Sequence, residues 1–190
     1  VVAYDDTGGA TAGRLVVMLR SIGRRAALLD GGLKGWSGPI ETGAGSVRPA
    51  RTFSTVEWPR DRFATADDVA AAAASPVMTV LDARSLDRYR GETEPIDPRA
   101  GHVPGAANAP WSANLDPATG RFKEPMALRI AYETIGVTDA ASTICYCGSG
   151  VSACADVLGI EHAGLGTPRL FVASWSGWSS DPGRPVATGQ

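Results

Sequence analysis

Histidine and cysteine are scarce in this chain, with two histidines and three cysteines among 190 residues. His102 and His162 alone cannot build a histidine triad for a catalytic metal. Cys145, Cys147 and Cys154 lie too close together for a disulfide framework or a four-ligand zinc site. A reducing compartment, and so a cytoplasmic location, is the expectation. The opening stretch VVAYDDTGGA carries no basic segment followed by a long apolar one, so no export signal is visible. No apolar run approaches the roughly eighteen residues of a membrane span. Charge of one sign is lacking too: 18 Lys+Arg face 20 Asp+Glu for a net −2. That balance excludes the footprint of a nucleic-acid or anionic-membrane binder and leaves small molecules or other proteins as partners.

What is present is an alternation of short apolar runs and periodic stretches. Val1 to Tyr4 reads as a strand stopped by Asp5-Asp6 and a Gly8-Gly9 turn, Ala12 to Ile22 as a helix, and Ala26 to Leu29 as a second strand. Leu33 to Trp36 follows as a helical turn. Residues 37–64 hold proline and glycine without a period, the composition of a wrapping linker. Thr65 and Asp68 then form a capping-box variant ahead of a helix from Asp67 to Ala74. Val77 to Leu81 is a strand, Lys123 to Ile135 a helix, Ser142 to Cys147 a strand, Val151 to His162 a helix and Arg169 to Ala173 the last strand. The expected class is α/β with a largely parallel sheet, divided into residues 1–36, a linker at 37–64 and a second domain at 65–190.

A shift of 142 positions lays Tyr4 on Tyr146, Gly8 on Gly150, Gly35 on Gly177 and Trp36 on Trp178, and puts Asp5 on Cys147. A constant offset on matching elements reads as two copies of one strand-loop-helix-strand unit. The segment preceding Ser142 has no counterpart ahead of Val1. The first copy is therefore expected to lack its front half, and a homo-oligomer mate or a retained N-terminal piece to cover its strand edges.

The sharpest segment is Cys147-Gly148-Ser149-Gly150-Val151-Ser152-Ala153, at a strand-to-helix joint. Its glycines let the backbone curl so that successive N–H groups converge at a helix N-terminus. Such donors favour the thiolate, the nucleophilic form of cysteine. The competing reading is a tight turn around a buried cysteine. Cysteine phosphatases need an arginine six positions after the nucleophile, where this chain has Ala153. Phosphoryl transfer is disfavoured, and chemistry on a soft, small centre such as sulfur remains.

The stretches Leu81-Asp82-Ala83-Arg84, Arg88 to Asp97, Gly101-His102-Val103-Pro104-Gly105-Ala106, the Cys147 loop and Ser174 to Pro182 follow one another along the second domain. In these motifs the chain resembles the tandem-domain rhodanese-type sulfurtransferases. The resemblance implies two rhodanese-like domains with helix-flanked sheets, the first incomplete and inactive with Asp5 in the cysteine position. It also implies a double displacement, in which Cys147 takes the sulfane sulfur of a small donor as a persulfide and passes it to cyanide or a thiol, a thioredoxin-like protein included. No metal and no organic cofactor is implied. The Gly148-Ser149-Gly150 sequence resembles the 3-mercaptopyruvate branch, whereas thiosulfate-preferring members carry basic side chains there. The N–H groups from Gly148 through Val151 and Ser152 to Ala153 would stabilise the persulfide anion.

Arg88 matches the arginine that grips the donor's carboxylate or sulfonate. A second arginine of the mercaptopyruvate enzymes has no match at the same spacing, and Arg99 is a loose candidate. Ser149 is read as a proton relay or a loop cap, and Ser152 as a structural hydrogen-bonder. Asp82 and Arg84 are expected to fix the neighbouring loop, and His102 to support its turn. Cys145 and Cys154 are expected in the core, with resolution of an oxidised Cys147 as the other reading. Trp175 and Trp178 are expected to pack the last short helix, with Trp175 flanking the site. The alternative function is a non-catalytic sulfur carrier or protein-interaction module.

Overall fold

The strand Thr143–Tyr146, β6, dictates the architecture, because all four of its residues are buried. Alternation sends Ile144 and Tyr146 into one apolar cluster and Cys145, with Cys147 just beyond, into another. A strand buried on both faces needs helices on both sides of its sheet. The computed structural model, which describes residues 1–47, 49–50 and 52–189, has that form. Five parallel strands lie in the spatial order β3 (Phe63–Ala64), β7 (Arg169–Phe171), β6, β4 (Thr79–Asp82) and β5 (Ala107–Asn108).

On one face, helices α2 (Ala66–Ala73) and α6 (Ser174–Ser180) bring Val69, Ala72, Trp175 and Trp178 against Val80, Ile144 and Phe171. On the other, α4 (Pro125–Thr134) and α5 (Ala153–His162) bring Leu128, Val157 and Ile160 against Leu81, Cys145 and Leu170. The five-residue helix α3 (Leu86–Arg90) follows β4. The first unit is smaller: β1 (Val2–Ala3) pairs in parallel with β2 (Ala27–Leu28), and α1 (Ala12–Ser21) crosses between them. Val16 and Val17 of α1 share a core with Val157 and Leu158 of α5, and an Arg20–Glu161 ion pair of 2.6 Å closes that seam. Helix α5 is consequently buried all the way from Ala153 to Ile160, which is why it reads as apolar all round.

The capping box at α2 forms as the spacing predicts: the Thr65 hydroxyl accepts from the Asp68 N–H at 3.1 Å, and the Asp68 carboxylate accepts from the Thr65 N–H at 2.8 Å. The sheet begins two residues ahead of the expected boundary at 65, since Phe63 and Ala64 form the edge strand β3. Helix α5 starts at Ala153 rather than Val151, because Val151 and Ser152 belong to the loop before it. Strand β5 and helix α3 are absent from the sequence reading; two and five residues are too short to show a period. The described residues between Trp36 and Pro59 form no helix or strand. Arg48 and Arg51 of the expected linker, and Gln190 at the end of the second domain, lie outside the described residues.

Candidate active site

From β4 the chain moves to β5 on one side and then to β6 on the other, so the strand order reverses between β4 and β6. Open α/β sheets bind ligands beyond the carboxyl ends of their strands at such a point. Here those ends carry Arg84 and Cys147, and both line a cavity of about 280 Å³ with Arg88, Asp97, Trp111 and Ser149.

The loop from Cys147 to Ser152 is built with its carbonyls turned outward and held. Cys147 and Gly148 carbonyls accept from the Trp175 and Ser176 N–H groups of α6, each at 2.9 Å. The Ser149 carbonyl accepts from Arg14 Nη1 at 3.2 Å, and the Gly150 carbonyl from the Cys154 thiol at 3.5 Å. Val151 and Ser152 carbonyls accept from Cys154 and Ala155 N–H groups at 3.1 and 2.9 Å. With every carbonyl pinned, the N–H groups of residues 148–152 are left without an acceptor among the described residues. Gly150 makes the curl possible: its φ is +72°, and a Cβ there would collide with the Val172 carbonyl. The arrangement has the form of an anion cradle at the N-terminus of α5, with the buried Cys147 beside it.

Ser174 sets the cysteine itself. Its hydroxyl accepts from the Cys147 N–H at 3.1 Å and donates to the Phe171 carbonyl at 2.8 Å. Ser174 is the one non-glycine residue with positive φ among the described residues, at +53°, a strained conformation that persists because both bonds require it. No sequence signal beyond its place ahead of Trp175 pointed to it.

Arg88 lines the cavity, but it does not arrive free. Its Nη2 donates to Glu94 at 2.6 Å and Asp97 at 3.2 Å, its Nη1 lies over Gly148, and its buried Nε has no partner. Burial alone would raise the Glu94 carboxyl, but the Arg88 donor and the N–H groups of Asp97 and Ile96 hold it below the ordinary carboxylate range. Arg84 is fully committed. It pairs with Asp82 at 2.6 Å, bonds Glu94 and the Gly101 carbonyl, and stacks on the Trp175 ring at 4.6 Å. With side chains 1% and 0% exposed, Arg84 and Asp82 fasten the loop after α3 to the sheet. The Trp175 ring meets the site through this stack, while its backbone N–H holds the Cys147 carbonyl.

Arg99 is placed elsewhere. Its guanidinium donates to the carbonyls of Trp178, Ser179, Asp181 and Arg184, around the C-terminus of α6, and not into the cavity. Arg99 does not line the cavity, and the structure uses it as a clamp on the C-terminus of α6. His102 stacks on Tyr89 at 3.7 Å and its Nδ1 bonds the Tyr89 carbonyl, a loop support. Cys145 and Cys154 sit in the core. Burial pushes the Cys154 thiol up to about 12, with the adjacent Cys147 adding to it, and pushes Cys145 well above the ordinary value. Both are therefore held as thiols.

The first unit holds the same loop with a different occupant. The Asp5 carboxylate accepts from the N–H groups of Thr7, Gly9, Thr11 and Ala12 at 3.0, 2.7, 2.9 and 2.7 Å. Burial opposes its charge, yet the four donors outweigh that and hold it below its ordinary value. Shifted by 142, those donors fall on residues 149, 151, 153 and 154. Asp156, in α5, was not singled out by the sequence reading. It is fully buried, accepts from Asn114 at 2.8 Å, leaves Oδ2 without a partner, and is pushed well above the carboxylate range by burial.

The Rhodanese-like domain family matches residues 65–181. The chain belongs to the rhodanese family. Over its whole length this rhodanese is 40% identical to a Pseudomonas aeruginosa protein named as a probable 3-mercaptopyruvate sulfurtransferase, of which it covers 68%. It is 32% identical to the thiosulfate sulfurtransferase of Azotobacter vinelandii over 97% of this chain and 68% of that protein. The structure of the 3-mercaptopyruvate sulfurtransferase from Leishmania major superposes with a TM-score of 0.77 at 31% identity, over 93% of this chain and 50% of that one. The chain thus spans about two thirds of these curated relatives and half of the Leishmania chain.

Proposed function

We propose that this rhodanese is a sulfurtransferase that carries sulfur as a persulfide on Cys147, with 3-mercaptopyruvate as first-choice donor and thiosulfate as second. The observation that carries the reading is the cradle: a cysteine at the mouth of a loop whose carbonyls are all held outward, inside a cavity with room for a small donor. The names of the relatives support the transferase class.

In the first half-reaction the Cys147 thiolate attacks the donor sulfur. With 3-mercaptopyruvate an S–S bond forms and the C–S bond breaks; its electron pair passes to the pyruvate enolate, which takes up the proton from the donor thiol. With thiosulfate the leaving group is sulfite. In the second half-reaction cyanide or a thiol, such as that of a thioredoxin-like protein, removes the outer sulfur and restores the thiolate. The loop N–H groups hold the outer sulfur's charge as a preorganised oxyanion hole would. Arg88 presents Nη1 to the donor's carboxylate. Because Glu94 and Asp97 already offset its charge, and Arg84 is committed, the cavity suits a monoanion better than the thiosulfate dianion. Ser149 lines the cavity and would cap or relay a proton.

The test is intact mass before and after each donor, with Cys147→Ser beside the parent chain. A gain of about 32 Da with 3-mercaptopyruvate, lost in the variant, is expected. A gain with thiosulfate alone reverses the donor order. Loading without turnover identifies a sulfur carrier, and no loading by either donor in folded protein removes the reading.

A further inference from the structure

The six carbonyls of the catalytic loop have six donors, and five of them come from the same domain. The exception is Ser149, whose carbonyl is held by Arg14 from α1 of the first unit, 135 residues away. We propose that Arg14 is a positioning residue for the Cys147 cradle, supplied to the catalytic loop by the unit that has lost its own nucleophile; the inference rests on the persulfide reading above.

Three observations carry it. Ser149 sits between two glycines, and its peptide to Gly150 is a freely rotating part of the loop. If that peptide flipped, the Ser149 carbonyl would point into the cradle and present a partial negative charge to the persulfide, while the Gly150 N–H would be lost to it. A charge-assisted bond on the outside opposes the flip. Second, the position of α1 is fixed independently: Gly13 lies within 3.4–3.7 Å of Leu158, Ala155 and Cys154, should it carry a Cβ, and Arg20 pairs with Glu161. Arg14 is therefore delivered to the loop by a rigid helix contact rather than by chance of a surface side chain. Third, the loop has no cation of its own, with Ala153 in its first helical turn, and the cavity arginines are held by acids: Arg84 by Asp82 and Glu94, Arg88 by Glu94 and Asp97. None of them bonds a loop carbonyl. Arg14 is the charged donor in the set.

The counterpart of Arg14 at the 142 offset is Asp156, which turns inward to Asn114 and Tyr132 instead of crossing the seam. The support therefore runs one way, from the inactive unit to the active one.

The experiment compares Arg14→Met, Arg14→Lys, Arg20→Met and Cys147→Ser in the purified chain. It follows the rate of the 32 Da mass gain and the steady-state kcat and KM with 3-mercaptopyruvate. Met fills the stem of the half-exposed Arg14, so folding is retained. Arg14→Met is expected to lower loading rate and kcat about tenfold with KM within about twofold, Arg14→Lys to restore most of the loss, and Arg20→Met to leave both constants unchanged. The proposal falls if Arg14→Met keeps the parent kcat, if Lys fails to restore it, or if Arg20→Met produces the same loss, since the effect would then belong to docking of α1. A mass gain that survives Cys147→Ser would instead overturn the persulfide reading, whatever the Arg14 variants do.

Discussion

The two loops that follow β1 and β6 curl alike, and their difference is the occupant. Around Asp5 the N–H groups close on a permanent carboxylate, and nothing more can enter. Around Cys147 the N–H groups of the corresponding Ser149 and Val151 have no acceptor among the described residues, while that of Cys154 goes to the Val151 carbonyl; in the function proposed above, the side chain there takes on one sulfur and returns it. On that proposal the two loops share one curl, and the chemistry is set by one residue.

The sharpest way to break that comparison is to make the loops the same. Cys147→Asp should keep the fold, because the cradle accepts a carboxylate, and should abolish turnover by more than about 10³-fold. A variant that aggregates would show that the second loop is not equivalent to the first. The next largest effect concerns Asp156. Its folded form keeps a proton that the unfolded chain releases above about pH 4, so stability should fall as pH rises, by up to about 1.4 kcal/mol per pH unit until the folded group titrates. Measured as the difference from Asp156→Asn, which keeps the opposite contribution of depressed carboxylates such as Asp5, the parent's urea midpoint should fall from pH 4 to 8.

For Asp5 the sign is opposite. Its folded value is depressed, so its contribution is present above the unfolded carboxyl value and disappears as pH falls through the folded one. Asp5→Ala should cost about 2 kcal/mol at pH 7, and its denaturation curve should merge with the parent's in acid. Last, Gly150→Ala imposes a left-handed residue against the Val172 carbonyl and should cost about 1–2 kcal/mol in denaturant titration, with the second loop losing loading rate.

The sequence carried the loop well, because glycine spacing and the strand-to-helix joint are local. The alternation of strands and helices was legible for the same reason, while β3 and β5, two residues each like β1 and β2, were hidden because no apolar run surrounds them as Val1 to Tyr4 and Ala26 to Leu29 surround the first two. What stayed hidden in the site is tertiary. Arg14 is an ordinary helix residue until α1 meets α5. Arg99 carries the right charge but, displaced along its loop, finds the end of α6 instead. Asp156 did leave a signal, a lone acid in the apolar run Ala153 to Ile160. A charge in a helix buried all round must be paired or neutral.

One more consequence follows from Cys147 lying just past the end of the central strand. Amides of Ile144 to Tyr146 lie in the middle of five hydrogen-bonded strands and exchange with solvent deuterium only when the sheet opens as a whole. Those of Gly148 to Ser152, two to six residues on, have no acceptor among the described residues and exchange from the native state. The most and least protected amides of the protein should therefore be close neighbours along the chain, meeting at the nucleophile, and sulfur loading should slow exchange on one side of that border alone.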